Sequence, residues 1–168
     1  MAYDPGAWQT FFAMTGGAAA ALTGLLFVAM SLHARAIMAN RFFRGRAIGT
    51  LMSLTSQLLI SGAVLIPLQP LWLLGAEVEA IALFFAAWLV VQIVTRDEQA
   101  PPVASTFTHR LMEWGGGLTW IVLFIAAGLS LLFRVGGGLY LLAVVMFFMF
   151  AWNIYIAWLL ITEVSESG

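Results

Sequence analysis

The chain has 168 residues, 62% of them hydrophobic and only 9% charged, with a formal net charge of −1. Soluble domains carry about 25% charged residues, so this chain has too little charge to cover a water-facing surface, and its long apolar runs put it in the membrane class. The near-neutral balance offers no basic field for nucleic acid, and the absence of cysteine excludes disulfides, thiolate metal sites and cysteine nucleophiles.

The opening stretch MAYDPGAWQTFF lacks a basic n-region and carries Asp4. It is therefore not a standard signal peptide, and the apolar run that follows is too long for an h-region. That run predicts a retained first span, roughly residues 8–32. A second span is predicted over roughly 47–68, with an extension to Leu74 as the alternative, because Pro67 and Pro70 end or kink a helix. The third, roughly 78–94, is short, with Glu77 and Glu79 at its outer end, so a re-entrant segment is the alternative there. The fourth and fifth cover roughly 112–133 and 139–161, and Gly136, Gly137 and Gly138 read as the tight turn between them. Each run approaches the ~20 residues that cross the hydrocarbon as helix. Helices are expected because backbone groups have no water to bond in lipid, and the runs are too continuous for barrel strands. The predicted fold is all-α: one domain over 1–168, a polytopic helical bundle of about five spans.

The connections around residues 33–46 and 95–110 carry Arg35, Arg41, Arg44, Arg46, Arg96 and Arg110, whereas the other side carries Arg134. The positive-inside rule puts the first set in the cytoplasm, the N-terminus outside and the acidic tail TEVSESG inside. The pattern WQTFFAMTGGAAAALTGLLFVAMSL, the Arg-bearing connection, the helix ending LIPLQP and the final GGGLYLLAVVMFFMFAWNIYIAWLLITEV resemble a group of small multi-pass bacterial inner-membrane proteins. The resemblance covers most of the chain in order. It implies this topology and a bacterial inner (cytoplasmic) membrane, and it brings no catalytic residue.

Two constellations stand out. Gly16, Ala20 and Gly24, and likewise Gly17 and Ala21, recur every four residues, which places small side chains along one helical face. In lipid such small-xxx-small faces let backbones approach closely and gain dispersion contacts. They predict a packing seam, within the chain, between copies or along a narrow pore. A similar face is formed by Ala126 and Ser130. Second, Thr50, Ser53, Gln57 and Ser61 follow a 3-4-4 spacing, a polar stripe on the second span. Asn153 lies near the middle of the last span, and a Gln57–Asn153 contact is expected because each amide donates and accepts. This set is read as interhelical glue or as the lining of a hydrated path.

No ionisable residue is expected deep in a span, which argues against a proton pump or an ion-coupled transporter. Glu113 reads as a first-turn acid beside Arg110. His33 and His109 would have to meet to hold a haem, chlorophyll or metal, and no third ligand, CxxCH or HExxH accompanies them. No catalytic, cofactor or metal residue is assigned, and no GxSxG elbow is present. The expected partners are the lipid bilayer and either further copies of the chain or other membrane subunits. The function expected is that of a non-enzymatic accessory, scaffold or modulator subunit working through helix association, with α-helical contact through the last span. The alternative is a homo-oligomeric channel lined by the stripe of the second span.

Overall fold

The structure is a computed structural model describing residues 2–94 and 107–166, with side chains described except at 92, 93, 107–117 and 164–166. Among the described residues the chain forms α1 (Gln9–Leu32), a short α2 (Ala34–Ala39), α3 (Arg41–Leu65), α4 (Leu71–Val94), α5 (Phe107–Phe133) and α6 (Gly138–Glu166), with a 3₁₀ turn, Pro5–Trp8, ahead of α1. Among the described residues, four helical stretches are long and apolar enough to cross a membrane: Pro5–Leu32, Arg41–Leu65, Leu71–Val91 and Gly138–Glu163. In α5 the described apolar part is Leu118–Phe133. The all-α architecture and the transmembrane class thus follow.

Local chemistry explains where each helix begins and ends. Asp4 caps the 3₁₀ turn by accepting from the Gly6 N–H at 3.0 Å. Asn40, in extended conformation, caps α3 by accepting from the Phe42 N–H at 2.9 Å. Ile66, before Pro67, is pushed out of helical geometry (φ −64°, ψ 122°) and closes α3. Pro70 then opens α4, its carbonyl accepting from the Leu73 and Leu74 N–H groups. The α5–α6 turn uses Gly136 and Gly137, both at φ +83°, a conformation that costs glycine nothing sterically.

These boundaries correct the sequence-based spans in three places. The second span ends at Leu65, and the third starts at Leu71 rather than 78, because the two prolines punctuate a tight turn instead of kinking one long helix. Glu77 and Glu79 therefore lie about two turns inside α4, not at its outer edge. The Arg-bearing connection at 33–46 is helical apart from short breaks, since Ile37, Phe43 and Ala47 bury one face of it against Leu160. Of the expected loop at 95–110, residues 95–106 lie outside the described residues and residues 107–110 form the start of α5.

Two antiparallel pairs make the bundle: α1 packs on α3, and α4 on α5. The last helix, α6, joins them by contacting α5, α3 and α1. The main apolar core runs from Phe12, Ile60 and Val64 through Leu74, Val78, Phe124 and Leu131 to Leu139, Val145, Met146 and Met149. A smaller core at the opposite end gathers Ile37, Phe43, Ala47 and Leu160. Ala2 and Tyr3 fold over the α5–α6 turn: the Leu139 N–H donates to the Ala2 carbonyl at 3.1 Å and the Gly137 N–H to the Tyr3 hydroxyl at 2.8 Å. Trp8 meets Tyr140 edge-on at 4.7 Å, fastening the start of α1 to the start of α6.

Both pairs depend on glycine at their closest approach. A Cβ on Gly75 would lie 2.8 Å from Leu132 Cγ, 3.0 Å from the Leu132 backbone nitrogen and 3.1 Å from the Gly128 carbonyl oxygen. A Cβ on Gly128 would lie 2.6 Å from Glu79 Oε1, and one on Gly16 would lie 2.9 Å from Ser61 Cβ. Gly75→Ala should therefore destabilise the bundle by about 1–3 kcal/mol through overpacking against backbone. Gly17→Ala, whose Cβ meets nothing within 4 Å, should be neutral or gain up to about 1 kcal/mol from helix propensity. Unfolding titrations of the two variants in mixed micelles should order them in that sense.

Candidate functional site

Between the two apolar cores lies a polar layer, and α3 supplies most of it. Thr50, Gln57 and Ser61 are each at most 4% exposed. They are buried inside their own chain. Thr50 Oγ1 donates back to the Arg46 carbonyl at 2.9 Å, a local bond that satisfies the hydroxyl without a partner helix. Ser53 Oγ accepts from Asn153 Nδ2 at 2.9 Å, which ties α3 to α6. Ser61 Oγ and Thr15 Oγ1 lie 3.2 Å apart, which ties α3 to α1, and Thr15 Oγ1 also reaches the Phe12 carbonyl.

The expected Gln57–Asn153 bond is not formed. Asn153 pairs one turn lower, with Ser53, and Gln57 is fully buried with neither Oε1 nor Nε2 hydrogen-bonded. Its amide sits between the Ser61–Thr15 and Ser53–Asn153 pairs, each of which has found a partner of its own. A buried amide left in this condition costs about 1–3 kcal/mol.

The small residues of α1 divide between two faces. Gly16 is buried against Ser61, with Thr15 and Ala19 beside it, and allows α1 and α3 to touch. Gly17, Ala20, Ala21 and Gly24 are exposed on the outside of the bundle, with nothing within 4 Å of a Cβ built on Gly17 or Gly24. On α5, Ser130 is buried and bonded to the Val135 carbonyl, whereas Ala126 is exposed; the inward small residues are Ala127 and Gly128. The last helix turns Leu142, Val145, Met146, Met149 and Asn153 inward and Phe147, Phe148, Ile154 and Trp158 outward.

Three features were not visible from residue spacing. Thr15 completes the α1–α3 hydrogen bond, and its only local sign is a hydroxyl next to the small-residue face. Arg46 Nη1 and Glu163 Oε2 form an ion pair at 2.7 Å, linking the start of α3 to the end of α6 across 117 residues. The Arg46 guanidinium also lies over the Phe42 ring at 5.4 Å. Within α4, Glu77 accepts from Gln69 Nε2 at 2.7 Å. Glu79 is half-buried against Gly128, with its Oε1 buried and not hydrogen-bonded, so the two acids placed by the sequence at the outer end of the third span lie about two turns inside α4. Both acids enter because α4 starts seven residues early and Gly128 leaves room for a carboxylate.

Of the two histidines, His33 ends α1, with its Nδ1 3.3 Å from the Ala29 carbonyl oxygen. The side chains of His109, Arg110 and Glu113 lie outside the described residues. No family model matches the chain, no curated protein matches its sequence and no solved structure matches its fold.

Gln57→Leu, which removes an unpaired amide and keeps the side chain's bulk, should stabilise the bundle by about 1 kcal/mol or more. Asn153→Leu should instead cost about 0.6 kcal/mol, the average for an interhelical bond in lipid, because it strips Ser53 of its donor. Reversible unfolding of both variants in bicelles measures the opposite signs.

Proposed function

We propose that the chain is a non-enzymatic multi-pass protein of a bacterial inner membrane, acting by helix–helix association as an accessory, scaffold or modulator subunit of a membrane assembly. Five spans with the N-terminus outside and the C-terminus in the cytoplasm fit the Arg distribution and the 27-residue length of α5. The observation that carries the reading is the outer face of α1. Gly17, Ala20, Ala21 and Gly24 are exposed at four-residue and three-residue spacings, and a Cβ on Gly17 or Gly24 would meet nothing within 4 Å among the described residues. In lipid, a face of this kind lets a second helix come close enough for continuous van der Waals contact. Beside it, Met14, Leu25 and Val28 are 58–69% exposed and supply bulk for a partner to fit around.

The polar stripe gives less support to a homo-oligomeric channel. A pore wall has to face a shared axis, whereas Thr50, Gln57 and Ser61 are buried within a single chain. An accessory role needs no such wall, and the sequence pairs no nucleophile with a base.

The mass of the protein released from native-like lipid particles tests the reading. A homo-oligomer, or a complex with a different membrane subunit, is expected. Gly17→Leu with Gly24→Leu should weaken that association by about tenfold or more, equivalent to about 1.4 kcal/mol, without unfolding the monomer. A wild-type chain that is always a lone monomer defeats the proposal. Proton or ion flux in liposomes that depends on Gln57 would favour the channel instead.

A further inference from the structure

We infer that Glu79 marks an interface for a membrane span of a different protein chain, one that sets an arginine or lysine side chain against the Glu79 carboxylate. The inference rests on the accessory-subunit reading and deepens it by naming the chemistry of the partner.

Glu79 lies in a stretch of α4, Leu71–Val91, that is long and apolar enough to cross a membrane. It stands about 12 Å along the helix from Leu71 at 1.5 Å per residue, and the hydrocarbon is about 30 Å thick, so the carboxylate is well inside the apolar layer. Its side chain rests on Gly128, and its Oε1 is buried without a hydrogen bond. The Leu129 backbone N–H lies near it, but that group belongs to the hydrogen-bond ladder of α5. No basic side chain among the described residues acts on it. The other acids whose side chains are described each have a partner: Asp4 takes the Gly6 N–H, Glu77 the Gln69 amide and Glu163 the Arg46 guanidinium.

Glu79 also stands where the buried face of α4, with Gly75, Val78 and Ala82, meets its exposed face, with Trp72, Ala76 and Leu83. Ala76 and Leu83 are three and four residues away and share its side of the helix, and Ala76 offers only a methyl group there. An ionisable side chain inside a membrane is costly and is found paired. A basic side chain in another span has the same difficulty with the opposite sign. Bringing the two together forms charge-assisted hydrogen bonds that salt screens little away from water. An apolar helix on this face would leave the carboxylate as it is. A second copy of the chain does not supply the cation. The chain has no Lys, and its seven Arg residues avoid the middle of the spans: Arg35 to Arg46 lie before or within the first turns of α3, Arg96 and Arg110 follow the far end of α4, and Arg134 comes after the last residue of α5. The partner is therefore a different chain.

Two leucine-rich membrane-spanning peptides test this, one all leucine and one with a single Arg about eight residues from the end of its apolar run, the depth of Glu79 in a span. Energy transfer between the labelled full-length protein and each peptide in bicelles gives the two affinities. The wild type should bind the Arg peptide about five- to thirtyfold more tightly than the leucine peptide, which corresponds to about 1–2 kcal/mol for a polar interhelical contact in lipid. Glu79→Gln, which keeps the shape of the side chain and removes its charge, should abolish the difference. Glu77→Gln should keep it, because Glu77 is engaged with Gln69. Circular dichroism checks that both variants keep their helices. Equal binding of the two peptides by the wild type, a preference that survives Glu79→Gln, or one lost equally in Glu77→Gln overturns the inference. The mass of the native particle separates this outcome from the fate of the accessory reading. A native complex that persists in Glu79→Gln, with equal binding of the peptides, would remove the pairing and leave the accessory reading standing. A lone native monomer that still selects the Arg peptide through Glu79 would do the reverse.

Discussion

The bundle is governed by the lack of water in its surroundings. In hydrocarbon a hydroxyl or amide has to find its partner within the protein, so most polar side chains of α3 turn inward, the exposed Thr55 bonds back to the Leu51 carbonyl of its own helix, and many large apolar side chains turn out. Leu25, Phe27, Phe148 and Trp158, each more than 60% exposed, would be a liability on a soluble protein. Here they are the natural surface. The hydrogen bonds that result, Ser61 to Thr15 and Ser53 to Asn153, are few, but they fix which faces of α1 and α6 meet α3. Helices that gain little from hydrophobic burial need such directional contacts, together with close backbone approach, to choose one packing over another.

Close approach within the two helix pairs is concentrated at three glycines. Gly16 sets the α1–α3 contact, while Gly75 and Gly128 set the α4–α5 contact. The second pair also explains how an acid is tolerated in α4. Room that a side chain on Gly128 would fill is taken by the Glu79 carboxylate. The α6 helix then closes the assembly. It contributes Asn153 to the polar layer, Met146 and Met149 to the larger core and Leu160 to the smaller one, and Glu163 pins its end to Arg46.

Local signals in the chain carried the element pattern well. Asp4, Asn40, Pro67, Pro70 and the run Gly136–Gly138 all act at helix ends as their chemistry requires, although the early start of α4 showed that a proline pair can make a turn between two helices instead of a bend within one. The stripe of Thr50, Ser53, Gln57 and Ser61 was legible from its spacing. Its partners were not. Asn153 could be matched to Gln57 or to Ser53 by chemistry alone, and one helical turn of offset, about 5.4 Å, decides between them. The Arg46–Glu163 pair leaves no local trace at all, since its members are separated by most of the chain.

What the sequence determined by itself is therefore the medium, the helical class and the places where helices stop, because apolar run length, caps, prolines and positive-φ glycines act within a few residues. What only the tertiary structure decided is which face of each helix is inside. Gly16 and Gly17 are neighbours of identical chemistry, yet one is pressed against Ser61 and the other opens to the outside. In a soluble helix the contrast between apolar and polar faces announces that choice. In a membrane helix both faces are apolar, so the choice passes to shape and to a handful of hydrogen bonds, neither of which is defined until the partner helices are in place.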